Sequence, residues 1–283
     1  LAKDLDLYDE WLEDALDSLD QALAVCEKYG LMVLVDLHTP PGGRANNGVC
    51  RLFNNKKYQD KLVNVWRKIA TRYKDQKCIY AYDLLNEPSE PLTEDKRTSK
   101  WFSLATKVID EIREIDPEKP VVFEPGPRGL HAGFDQIVPL ERDKVIYSFH
   151  MYMPHIFTHQ GIRAKPSGFN YPGIIDGVMW NKDRLEEAMI AAVDFQKDFN
   201  VQIYIGEFSA VRWAPDNSAY RYLSDCIELF EKYGWDWSYH AFRVWHGWSV
   251  EHGSNKDDVL PSGHQTDCER LLRSWFDRNK VAP

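Results

Sequence analysis

The feature that most constrains this chain is the alternation of two apolar patterns along nearly its whole length. Leu12, Ala15, Leu16, Leu19, Ala22, Leu23 and Cys26 recur at helical spacing, and Gly30 follows as a stop. Leu31 to Leu37 then reads LMVLVDL, a continuous apolar run, which marks a strand buried on both faces. The cycle repeats. A stripe of Tyr58, Leu62, Val65, Trp66, Ile69 and Tyr73 precedes a strand at Ile79–Leu85, and one of Trp101, Ala105, Val108 and Ile112 precedes a strand at Val121–Glu124. A weak helical stretch near Gly129–Val138 precedes the strand Val145–Phe149. Helices over Asp183–Phe199 and Ser218–Tyr233 precede strands Gln202–Glu207 and Ser238–Trp245, and a last helix covers Asp267–Asn279. Strands alternating with helices predict βαβ units and a parallel sheet. The expected architecture is therefore α/β, a TIM-type (β/α) barrel of which about six units are visible. With no break in composition, residues 1–283 are expected to form a single domain.

Charge narrows the partners. The net charge of -9 opposes binding to phosphate backbones and anionic membranes, and no apolar run is long enough to span a bilayer. Cys26, Cys50, Cys78, Cys226 and Cys268 are odd in number and lack CxxC spacing, so neither a disulfide framework nor a zinc site is expected. The Glu94–Arg97 charge run reads as a solvated loop or helix start. Met151–Trp180 departs from the rhythm: it is long and rich in Pro, Gly and aromatic residues, as functional loops are.

Several strands end, at the same end, in residues a core would not choose. Leu31–Leu37 runs into His38, Ile79–Leu85 into Asn86 and Glu87, and Val121–Phe123 into Glu124. Val145–Phe149 runs into His150 and then Tyr152, Gln202–Gly206 into Glu207, and Ser238–Val244 into Trp245 and His246. In a parallel barrel all these ends lie on one face, where active sites are built. A lone histidine there is usually a loop or core residue, and a lone carboxylate often caps the next helix. So many coincidences in one chain favour a site. Two carboxyl groups flanking a bond are what glycoside cleavage needs, and Glu87 and Glu207 are the expected pair.

The motifs carry a resemblance. Asp83-Leu84-Leu85-Asn86-Glu87-Pro88 resembles the acid/base signature of glycoside hydrolase family 5, the cellulase family of clan A. Ile205-Gly206-Glu207-Phe208 is similar to its nucleophile strand, His150-Met151-Tyr152 to its sixth-strand pair, and His38 to its third-strand histidine. Trp245 resembles the aromatic platform at the end of its strand eight, and Pro41-Gly42-Gly43 with Asn46-Asn47-Gly48 the third-strand loop of several of its glucanases. The resemblance implies a retaining β-glycosidase, endo-acting on β-1,4-glucan, with mannanase, xyloglucanase, exo-β-glucanase or a noncatalytic sugar-binding remnant as alternatives. It implies Glu207 as nucleophile and Glu87 as acid/base. Asn86 would hold the 2-hydroxyl, Tyr152 would donate to Glu207, His38 and His150 would line the sugar site, and Trp245 would stack beneath the sugar. No metal or other cofactor is implied, and a polymeric substrate implies a secreted or periplasmic location.

The family has eight strands and six can be counted, the chain opening on what reads as the helix before strand three. The family's second-strand arginine has no counterpart, Arg44 being the nearest candidate substitute. Two open sheet edges are then expected, covered by a second copy of the chain or by closure of a smaller barrel. Among the remaining residues, Glu124 reads as a cleft or structural carboxylate. His150, His155 and His159 fit sugar contact better than a metal, and Trp180, Trp213 and Trp248 are either sugar platforms or packing.

Overall fold

A computed structural model describes residues 2–90 and 100–279, so the Glu94–Arg97 run lies outside the described residues. The chain divides into two compact units, 1–149 with 195–203, and 150–194 with 204–283.

In the first unit, helix α1 (Leu5–Lys28) starts where the Asp4 carboxylate accepts from the backbone N–H of Asp6 at 3.1 Å. It buries Tyr8, Leu12, Leu16 and Leu23 along one face and ends at Tyr29, after which Gly30 takes φ +66°. Strand β1 (Val33–Asp36) follows, then α2 (Lys56–Tyr73), capped by the Asn55 side chain, and β2 (Ile79–Asp83). Helix α3 (Lys100–Arg113), strand β3 (Val121–Phe123), a 3-10 turn at His131–Gln136 and β4 (Val145–Met151) complete the sequence of elements. The ladders are parallel and nearly in step: Asp36 faces Asp83, Tyr82 faces Val121 and Phe123 faces Tyr147. The chain therefore leaves β1, β2 and β3 at one end, which carries His38, Asn86, Glu87 and Glu124. β3 is buried throughout, whereas β1, laddered among the described residues only to β2, is partly exposed. Fully buried Trp66 on α2 donates its Nε1–H to the Leu84 carbonyl at 3.0 Å, fixing the exit of β2 two residues before Asn86.

The second unit holds one-turn helix α4 (His155–Thr158), an antiparallel hairpin of β5 (Gly173–Ile175) and β6 (Val178–Trp180), and helix α5 (Lys182–Ala188). The expected single helix over Asp183–Phe199 is broken at Met189, and α6 (Ile190–Phe199), whose residues 195–199 are counted in the first unit, resumes at once. The apolar period runs through that break, so the sequence carries no sign of it. Strand β7 (Gln202–Phe208), of which residues 204–208 are counted in this unit, helix α7 (Ser218–Tyr233), strand β8 (Asp236–Tyr239) and helix α8 (Asp267–Phe276) follow. The long Met151–Trp180 segment is tied to α7. Tyr171 donates its hydroxyl to Asp225 at 2.7 Å, Tyr222 donates to the Met153 carbonyl at 3.0 Å, and Arg221 donates to the Tyr171 carbonyl at 2.8 Å.

One strand differs from expectation. The last lies at Asp236–Tyr239, not Ser238–Trp245. The apolar letters of Phe242 and Val244 suggest a buried strand, yet both side chains are about three-quarters exposed. Arg243 between them has φ +58°, which no strand accommodates. None of the five cysteines is in a disulfide, and among the described residues no helix is long and apolar enough to cross a membrane.

Trp66→Ala removes both a filled core volume and the donor to Leu84. It is expected to cost about 3–5 kcal/mol, read as a lowered urea midpoint.

Candidate active site

Each unit carries one of the two expected carboxylates, set in its own surroundings.

In the first unit Glu87 follows buried Asn86 just past the end of β2. Its backbone is left-handed, φ +44°. For an L-residue that conformation costs roughly 1–2 kcal/mol and persists only where neighbours hold it. Three side-chain hydrogen bonds to the backbone do so. Arg44 donates Nη2–H to the Asn86 carbonyl at 2.6 Å and Nη1–H to the Glu87 carbonyl at 2.8 Å. The Glu87 N–H donates to Oε2 of Glu124 at 3.0 Å. Glu124 is 1% exposed and its own carbonyl accepts from Trp101 Nε1–H at 2.8 Å. Arg44 sits on a loop closed by an antiparallel bridge to Cys50. His38 lies at the exit of β1, its ring mostly exposed and its Nδ1 2.9 Å from the Asp36 carboxylate.

In the second unit Glu207 sits on β7 where the ladder to β8 slips. Ile205 faces Trp237 and Phe208 faces Tyr239, so Gly206 and Glu207 together oppose Ser238. A bulge of this kind re-aims a side chain. Tyr152, one residue beyond β4, donates its hydroxyl to Oε2 of Glu207 at 2.7 Å. Nδ1 of buried His150 and Nδ1 of His240 each lie 3.6 Å from the same oxygen. The polar contacts of Glu207 among the described residues thus converge on Oε2.

Trp245 does not follow the end of strand β8; His240 does, one residue beyond Tyr239, its N–H donating to the Phe208 carbonyl at 3.1 Å. Trp245 stands one ring further out. Its centroid is 5.5 Å from Trp248, whose ring lies 6.0 Å from Tyr152 and 6.3 Å from His240. Trp213 packs edge-on to Trp245 at 5.7 Å, whereas Trp180 is buried beneath the Arg184 guanidinium. Arg212, 8% exposed, shapes the loop bearing these rings. It donates to the carbonyls of His246 at 2.8 Å, Asn255 at 2.6 Å and Asp258 at 2.5 Å.

Two further histidines pack on each other. His155 and His159 stack with centroids 3.7 Å apart, the Nδ1 of His159 bonded to the Thr158 hydroxyl and that of His155 to Lys165. Burial first, then the cationic neighbours His155 and Lys165, pushes the His159 pKa down to about 3.

Of the residues singled out from sequence, Asn86 and Glu87 come together in the first unit, and His150, Tyr152 and Glu207 in the second. His240 was not among them, because a misplaced strand end hid it. The part played by Glu124 and Arg44 was also hidden, because their partners are backbone groups that leave no trace in a motif.

A family model described as Cellulase (glycosyl hydrolase family 5) matches residues 2–250. Endoglucanase C of Acetivibrio thermocellus is 28% identical over 259 residues, 81% of this chain and 74% of that protein. Cellodextrinase A of Ruminococcus flavefaciens is 26% identical over 79% of this chain and 66% of its own length. Among solved structures, Thermotoga maritima Cel5A in complex with cellobiose aligns with TM-score 0.72 and 26% identity, covering 92% of this chain and 78% of that one. The same enzyme with mannotriose gives 0.71 and 25%, covering 93% and 78%.

A histidine held neutral in the fold favours unfolding as its unfolded form protonates. Stability is therefore expected to fall as pH drops from about 6.5 towards about 3 and to be unaffected by this group above that range. His159→Gln should flatten that acid-side decline in a series of thermal melts.

Proposed function

Since the chain belongs to the cellulase family, glycosyl hydrolase family 5, and its parallel strands match structures of that family, we propose that it is a retaining, endo-acting hydrolase of β-1,4-glucan. The observation that carries this reading is the setting of Glu207, a carboxylate on a bulged strand whose Oε2 accepts the Tyr152 hydroxyl at 2.7 Å. That bond holds the charge in place and leaves Oε1 as the attacking atom.

The reaction proceeds in two displacements. Oε1 of Glu207 bonds to the anomeric carbon as the glycosidic C–O bond breaks, and the Glu87 proton passes to the departing oxygen. Water then attacks the same carbon, gives its proton to Glu87, and releases Glu207. A retaining pair works at about 5–5.5 Å separation. In such a pair the charged nucleophile favours the protonated form of the acid; once esterified it no longer does, and the acid serves as base. Asn86 supplies the amide for the neighbouring hydroxyl, and the rings of Trp248 and Trp245 offer faces for sugar. No step calls on a metal or organic cofactor. A glucan polymer as substrate places the work outside the cytoplasm, so we take the enzyme to be secreted or periplasmic. The relatives favour glucan: two of those compared bear the names endoglucanase and cellodextrinase. Mannan belongs in the assay, because Cel5A of Thermotoga maritima has been solved with mannotriose.

Reducing-sugar release from carboxymethylcellulose, mixed-linkage glucan, mannan and xylan tests the reading. Activity is expected on the glucans and should vanish in Glu207→Ala; equal rates in wild type and mutant would sink the assignment. Folded protein that binds cello-oligosaccharides without cutting them would make it a binding protein instead. Glu87→Ala should lose about 10²–10⁴-fold on unactivated glucan, and less on aryl glycosides whose leaving group needs no proton. Tyr152→Phe, which removes a hydrogen bond to a charged oxygen, should lower kcat/KM by about 10–100-fold.

A further inference from the structure

The backbone N–H and carbonyl groups of Asn86 and Glu87 are all held, three of the four by the side chains of Arg44 and Glu124. The Asn86 N–H donates to the Leu37 carbonyl at 3.2 Å. The carbonyls of residues 86 to 89 each accept a hydrogen bond. Asn86 and Glu87 receive theirs from the two ends of the Arg44 guanidinium, Pro88 from the Arg128 N–H at 2.9 Å, and Ser89 from the Cys50 N–H at 2.9 Å. On the opposite side the Glu87 N–H is taken by Glu124 at 3.0 Å.

We propose that Arg44 and Glu124 form a hydrogen-bonding clamp on the Asn86–Glu87 backbone that positions the Glu87 carboxyl for proton transfer. This role rests on the hydrolase reading and adds to it two positioning residues that need not touch substrate. The argument is conformational. Glu87 sits at φ +44°, where an L-residue does not stay unaided. Rotation of either flanking peptide would relieve the strain, and it would swing the side chain away from where a leaving oxygen must be met. Arg44 blocks rotation by gripping both carbonyls with one rigid planar fork, and Glu124 blocks it by gripping the N–H between them. The clamp is itself braced. Arg44 Nη1 also donates to Cys50 Sγ at 3.2 Å, Arg51 donates to the Arg44 carbonyl, and Glu124 is buried beneath Trp101. A lysine in place of Arg44 offers one point charge where two forked donors are used.

The discriminating property is dependence on proton transfer. A clamp that serves the acid/base matters on substrates whose leaving group must be protonated, and far less on those that leave unaided. kcat and kcat/KM would be measured for cellotetraose and for 2,4-dinitrophenyl β-cellobioside, with and without azide, a nucleophile that needs no general base and whose effect is read in kcat. Wild type, Arg44→Ala, Arg44→Lys, Glu124→Ala, Glu124→Gln and Glu207→Ala would be compared, with a thermal melt for each. Arg44→Ala and Glu124→Ala are expected to lose about 100-fold on cellotetraose and only a few-fold on the dinitrophenyl substrate, whose turnover azide then accelerates. Arg44→Lys should lie between Arg44→Ala and wild type, and Glu124→Gln, which keeps an acceptor oxygen, should lose less than Glu124→Ala. Folded variants that lose both substrates equally and ignore azide would overturn the clamp, as would variants that lose nothing. Should the alanine variants fail to fold, the Lys and Gln variants carry the same comparison. Wild type inert on both substrates would instead overturn the hydrolase reading, and the clamp's catalytic role with it.

Discussion

Parallel pairing with little stagger is the constraint on which the first unit depends. Because β1, β2 and β3 are in near register, their carboxyl ends coincide, and the loops that follow meet at one level. Asn86 and Glu87 leave the sheet beside the residues that leave β1 and β3. Glu124, one residue beyond β3, is therefore within a hydrogen bond of the Glu87 N–H, and Asn86 itself bonds back to Leu37 at the exit of β1. The Arg44 loop after β1 closes on the same backbone from its other side. Core packing supports this register from below, through Trp66 bonded to Leu84 and Trp101 bonded to Glu124.

The second unit solves a different problem with other means. Glu207 lies within a strand, where side-chain direction is set by the pleat. A slip of one residue in the ladder to β8 frees it from that alternation. Tyr152 from the end of β4 and His240 from the end of β8 then reach the same carboxylate oxygen. A folded 151–180 segment, strapped to α7 by Tyr171, Tyr222 and Arg221, holds Tyr152 and the His155–His159 stack. Arg212 does the same for the loop of aromatic rings by satisfying its carbonyls from within. In both units a few polar side chains, Arg44 with Glu124 in one and Arg212 in the other, order a length of irregular backbone, which apolar packing alone would leave with unmet polar groups.

What could be read directly from the sequence was whatever depends on local pattern. Helical stripes and apolar runs located α1, α2, α3, α7 and strands β1 to β4 and β7, because burial of one face or two leaves a period in the letters; the β5–β6 hairpin, inside the segment read as a loop, was not among them. Strand ends carrying polar letters pointed to Asn86, Glu87, His150, Tyr152 and Glu207. The pattern misleads where burial and hydrophobicity part company: Phe242 and Val244 are apolar yet exposed, so the letters put the last strand too late and give no sign of His240. It was silent where the partner is main chain. Nothing in the letters of Arg44 or Glu124 says that they grip the peptide on either side of Glu87, and nothing marks Met189 as a helix break. Those facts depend on which backbone groups approach in space. Only the tertiary structure decides that, since a carbonyl or N–H is the same at every position of the chain.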